Sequence, residues 1–123
     1  MNTYDDFLSK ISIMKIISST IKESYEDWGQ DIPTILLFSN IGREMARSFT
    51  DLSMEERSFL INSIETGISS SSEGLRTAIA TGLLEALCNT SQASTDPNLW
   101  STIHCNLGPR SRAYVDAWLD WQK

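Results

Sequence analysis

The chain of 123 residues has one histidine, His104, and two cysteines, Cys88 and Cys105. A metal site needs several converging Cys, His or carboxylate ligands. Neighbours on a helix point about 100° apart, so His104 and Cys105 do not share one small ion, and His104 reads as a ring packed beside Trp100. A cysteine nucleophile needs its base within hydrogen-bond reach, which Cys88 and His104 achieve only if the tertiary fold brings them together. Glycines 29, 42, 67, 74, 82 and 108 are scattered one per turn or helix and form no phosphate cradle. Glu85 lies in an otherwise apolar stretch, where a desolvated carboxylate is the kind of group used as a general acid. Without a partner base it makes no mechanism, and it fits equally a solvent-facing stripe or a hydrogen bond to a neighbouring helix. No catalytic residue, metal site or cofactor is assigned.

Binding offers more than catalysis. Glu23, Glu26, Asp27 and Asp31 put four acids in nine residues around Tyr25 and Trp28, with no base in that window. Glu26 and Asp27 fall in the last turn of a predicted helix, where carboxylates oppose the dipole at about a few tenths of a kcal/mol each. An unfavourable placement interleaved with aromatics of the type enriched at interface centres marks a binding surface. Glu23, Glu26, Asp27, Trp28 and Asp31 are therefore the candidate partner-binding residues. The plainer alternative is a solvated helix end with Trp28 folded back onto the core. Glu55 and Glu56 are explained by helix capping, and Arg110 and Arg112 beside Asp116 by surface electrostatics.

The elements that must carry these residues are all helical. Thr77 to Cys88 is apolar nearly all round except for Thr77, Thr81, Glu85 and Asn89, which recur every four residues as one stripe. This predicts a central helix over about 73–89, surrounded by the others, with Gly82 marking a close approach. A first helix is predicted over about 3–27, capped by Asn2 or Thr3 and ended by Gly29. A second starts from Asp31 as cap with Pro33 in its first turn, and a third from the capping box Ser53 to Glu56. Asn89 to Asp96 is expected as the longest surface loop, Asp96-Pro97 opens a short helix, and Pro109 starts a last one whose face is Tyr114, Val115, Trp118, Leu119 and Trp121. The expectation is one all-α domain over 1–123, a compact bundle of five or six helices.

Totals narrow the partner. The net charge of −6 and pI near 4.6 argue against nucleic acid and anionic membrane surfaces and permit a basic protein. No apolar run approaches 18 residues, and the acidic N-terminus is unlike a signal peptide. The expected location is the cytoplasm, with both thiols buried and reduced, and the expected state a monomer or weak homodimer.

Thr81-Gly82-Leu83-Leu84-Glu85-Ala86-Leu87, a polar loop, and then Leu107-Gly108-Pro109-Arg110-Ser111-Arg112-Ala113-Tyr114 with Trp118 resemble small α-helical immunity proteins of bacterial contact-dependent inhibition and related polymorphic toxin systems. The resemblance covers roughly the last third of the chain, and its motifs are structural. It implies stoichiometric binding and neutralisation of one cognate toxin domain, often a basic nuclease. It does not place the interface, so the acidic cluster remains the candidate site. The alternative is a helical adaptor or assembly subunit that binds a non-toxic bacterial protein, or itself through Trp118 and Trp121.

Overall fold

Helix follows helix through residues 3–122, the residues that the computed structural model describes, with no strand among them. The elements are α1 (Thr3–Ile11), α2 (Lys15–Trp28), α3 (Thr34–Ser48), α4 (Met54–Ile68), α5, α6 (Leu99–Asn106) and α7 (Pro109–Trp121), with a 3-10 turn, Phe49–Asp51, closing α3. α5 is one continuous helix in three stretches: Glu73–Thr77 is α-helical, Ala78–Leu84 has π geometry, and Glu85–Gln92 is α-helical again. The all-α bundle around a central helix stands, with seven helices where five or six were expected.

The core is built on α3 and α5, which pack on each other more extensively than any other pair. Phe38, Ile41 and Met45 from α3 meet Ile79, Leu83, Leu84 and Leu87 from α5, all essentially without solvent contact. Phe7 from α1 stacks on Phe38 with ring centroids 5.6 Å apart. The two glycines on these helices are why the axes come so near. A methyl group on Gly42 would overlap the Leu83 carbonyl, and one on Gly82 would lie 2.9 Å from Phe38 Cβ and 3.0 Å from the Ile35 carbonyl oxygen. The Glu85 amide reaches back five residues to Ala80, as π geometry requires, and Ser39 Oγ donates to the Gly82 carbonyl at 3.3 Å.

Four boundaries differ from the sequence reading. The single helix expected over 3–27 is two, because the chain breaks at Ser12 to Met14. Ser12 Oγ donates to the Leu8 carbonyl at 2.5 Å and Met14 is extended, in a run of β-branched isoleucines with weak helix propensity. The break keeps Ile11, Met14 and Ile17 in the core and turns Ile13 out to 76% exposure. Of the two proposed caps, Asn2 lies outside the described residues and Thr3 is already helical. Asp31 does not cap α3: Pro33, extended with ψ 136°, occupies the cap position, so Asp31 stands two residues too early.

The loop expected from Asn89 starts later, since α5 runs to Gln92. Ser91 is buried there because its hydroxyl donates to the Leu87 carbonyl at 2.6 Å, which lets a polar residue sit inside. Lastly, Trp121 does not pack: α7 buries Ser111 and Val115 early, and by its last turn residues 120–122 all face solvent, with Trp121 at 81% exposure. The capping box is as expected, Ser53 Oγ accepting from the Glu56 amide and Glu56 from the Ser53 amide.

Candidate partner-binding surface

α2 has two faces that differ in chemistry along its last three turns. Thr20 and Ser24 turn inward, and each hydroxyl donates to the carbonyl four residues back, at 2.9 Å and 2.7 Å. Glu23, Glu26 and Asp27 turn outward and are exposed. Gly29 then takes φ 117°, a left-handed conformation that glycine adopts without a Cβ clash, and its amide donates to Tyr25. That turn leaves Trp28 at 58% exposure and carries Asp31 into solvent. Trp28 is not folded back onto the core. The structure thus places all five candidate residues on the surface around one helix end, with no basic residue in the last turn.

Their charge is uncompensated. Between described residues the one ion pair within 4 Å is His104–Asp116, so no arginine or lysine neutralises Glu23, Glu26, Asp27 or Asp31 at that range. Three of the arginines are engaged elsewhere. Arg57 donates to the Phe49 and Thr50 carbonyls and lies over the Phe49 ring, Arg76 donates to Ser70, and Arg112 donates to the His104, Cys105 and Leu107 carbonyls. Arg112 is therefore the C-terminal cap of α6, a structural task that surface electrostatics alone had not suggested.

Glu23 and Asp27 also form one wall of a cleft of about 210 Å³ between α2 and α3. Thr20, Glu23, Ser24 and Asp27 line it from α2, and Asn40, Arg43, Glu44 and Arg47 from α3. Both sets follow the i, i+3, i+4, i+7 spacing of a single helix face. Asn40 Nδ2 donates to Ser24 Oγ at 3.0 Å, Arg43 donates to Asn40 Oδ1, and Ser48 Oγ donates to Glu44 at 3.2 Å. Arg43 and Arg47 stand four apart in the sequence and so share one face of α3. The matching polar stripes on α2 and α3 were the available signal, but which stripes face each other is a tertiary fact. Arg47 also lines a wider groove of about 620 Å³ between the C-terminal ends of α3 and α5.

The residues first considered for catalysis have other partners. Cys88 is fully buried, and its thiol is pushed up to about 11 by burial and by the negative charges of Asp116 and Glu85. It is thus protonated at neutral pH, which is the opposite of an activated nucleophile. His104 does pack on Trp100, centroids 5.5 Å apart, and its Nε2 lies 2.8 Å from Asp116. Glu85 is half-buried and accepts from Tyr114 of α7 at 2.5 Å; burial first, and then this bond, push the Tyr114 phenol up to about 12. Cys105, expected to be buried, is exposed, its Sγ 3.2 Å from the Thr102 carbonyl, and the two cysteines are not paired. Among the described residues no group of three or more His, Cys, Asp or Glu is placed to hold a metal ion, and no helix is long and apolar enough to cross a membrane.

One residue that the sequence did not suggest holds α7 in place. The Glu65 carboxylate of α4 accepts from the Arg110 amide at 2.8 Å, the Ser111 amide at 3.1 Å and Ser111 Oγ at 2.8 Å. Burial alone would raise the Glu65 pKa, but the two amides, the hydroxyl and the Arg110 charge together hold it below the ordinary glutamate value. Other residues of the Thr81–Leu87 and Leu107–Tyr114 motifs have packing duties of this kind: Gly82 at the α3 crossing, Glu85 on Tyr114, Ser111 on Glu65 and Arg112 on the end of α6.

Comparison with protein-family models, with curated proteins and with solved structures finds no match to this chain.

Proposed function

We propose that this protein binds a basic partner protein in a stoichiometric complex, and that the partner is a cognate toxin domain of the nuclease type, which it neutralises. The observation that carries the reading is the end of α2, where Glu23, Glu26, Asp27 and Asp31 are exposed without an ion-pair partner around the half-exposed Trp28. Trp is among the residue types that most often anchor an interface, and charged side chains suit the polar rim around such an anchor. Complementary fields raise association rates toward about 10⁸ M⁻¹s⁻¹ and discourage wrong partners, which suits capture of a toxin before it acts. The resemblance of the last third of the chain to immunity proteins supplies the toxin; charge and exposure supply the surface.

Growth of bacteria that express the protein encoded immediately upstream, with and without this one, tests the reading. Toxicity relieved by co-expression supports it. A harmless neighbour leaves the alternative, a helical adaptor or assembly subunit in which the exposed Trp121 at the end of α7 makes the contact. Sedimentation of the isolated protein then separates the two, because self-association through α7 is lost in Trp121→Ser and unaffected by changes in α2.

A further inference from the structure

The two walls of the α2–α3 cleft carry opposite charge. Glu23 and Asp27 stand on the α2 wall, and Arg43 and Arg47 on the α3 wall with Glu44 between them. None of these arginines approaches a carboxylate within 4 Å. Arg43 is held back by a relay: it donates to Asn40 Oδ1, Asn40 donates to Ser24 Oγ, and Ser24, 5% exposed, donates to the Thr20 carbonyl. The guanidinium is thereby fixed on its own wall, facing acids that it does not touch. A space of about 210 Å³ is below the roughly 300–1,000 Å³ of drug-sized sites and is too small for a folded segment of another protein.

We propose that this cleft binds a small zwitterion of the α-amino acid class, with its ammonium between Glu23 and Asp27 and its carboxylate on Arg43 and Arg47. A dipolar ligand is the one class that answers both walls at once. A simple cation leaves the arginines unanswered, and a simple anion meets three carboxylates. Guanidinium groups bind carboxylates through paired, charge-assisted hydrogen bonds, and a preset guanidinium loses less freedom in doing so. The inference does not rest on the toxin-binding reading. Glu26, Trp28 and Asp31 lie outside the cleft, Arg43 and Arg47 lie outside the acidic surface, and Glu23 and Asp27 belong to both.

The test is a titration of the isotope-labelled protein with L-glutamine, followed by amide chemical shifts, beside parallel titrations with butylamine and with butyrate. Saturable shifts on α2 and α3 lining the cleft are expected with glutamine, with Kd on the order of 1 mM, and binding at least about tenfold weaker for either singly charged probe. Arg43→Gln should weaken glutamine binding by about tenfold, and Glu23→Gln, on the exposed side of α2, gives the same reading should the first variant fold poorly. Absence of saturable shifts overturns the proposal. So does equal affinity for butylamine, which would make the cleft a cation site, or glutamine affinity unchanged in a folded variant. Glutamine binding that persists in Glu26→Lys while toxin neutralisation is lost shows that the cleft binds its ligand independently of the toxin, although Glu23 and Asp27 serve both.

Discussion

α3 meets α5 along one flank and α2 along another, and the two contacts follow opposite rules. Against α5 there is no room for a methyl group at Gly42 or Gly82, and the neighbouring side chains are fully buried. Against α2, about two turns of the same helix present Asn40, Arg43, Glu44 and Arg47 to an open cleft where opposite charges stand apart. One flank spends every contact on holding the bundle together. The other leaves charges unsatisfied, as a surface awaiting a ligand or a partner does.

Substitutions should separate the two flanks by the property that changes. The largest effect is expected from Gly42→Val, which forces a branched side chain into the Leu83 backbone. Its urea midpoint should fall by the equivalent of about 3 kcal/mol or more, whereas a polar substitution of Arg47 on the other flank should move it by no more than about 0.5 kcal/mol. Phe38→Leu would fall between them, at about 1–2 kcal/mol, by removing the ring that stacks on Phe7.

Glu65→Gln tests a contact outside both flanks. The substitution keeps the shape but removes the charge that caps α7, and should cost about 1 kcal/mol at neutral pH. Because the folded-state pKa of Glu65 lies below its ordinary value of 4.5, the wild-type advantage is complete above that pH and fades as pH falls through the folded value. Thermal melts of the two proteins should therefore converge in acid and diverge again toward neutrality. A constant gap across that range would show that the carboxylate charge contributes nothing.

The smallest effect on stability, and the largest on association, is expected from Glu26→Lys with Asp27→Lys. Relief of the unfavourable dipole placement should leave the melting temperature unchanged or slightly raised, while association with a basic partner slows by about tenfold at low salt and by less at high salt. Stopped-flow association rates at two ionic strengths check this. Rates that do not change would remove the end of α2 from the interface.

Local chemistry was legible in the sequence where local rules govern. The capping box at Ser53 and Glu56, the helix stop at Gly29, the Gly-Pro start of α7 and the close approach at Gly82 are each written in a few adjacent residues. The stripe of Thr77, Thr81, Glu85 and Asn89 was visible too, and its members are exposed or half-buried. Pairings across the fold were not. Glu65 lies 45 residues before Arg110, and nothing near either one announces the cap. Nothing adjacent to Asn40 or Ser24 signals the bond they form once α2 and α3 are laid side by side. Serine hydroxyls give no local signal of a helix end, since the same bond to the carbonyl four residues back occurs at Ser12, where α1 stops, and at Ser91, within α5.

The π stretch Ala78–Leu84 has a consequence for how this chain tolerates change over generations. A π turn carries one residue more than the α-helix it interrupts. Loss of one codon inside it would let α5 close as an ordinary α-helix while Glu85, Cys88 and Asn89 stay near their present faces, whereas the same loss within Glu85–Gln92 would turn every residue beyond it by about 100°. Descendants of this sequence are therefore expected to tolerate a one-residue deletion inside the stretch and not after it.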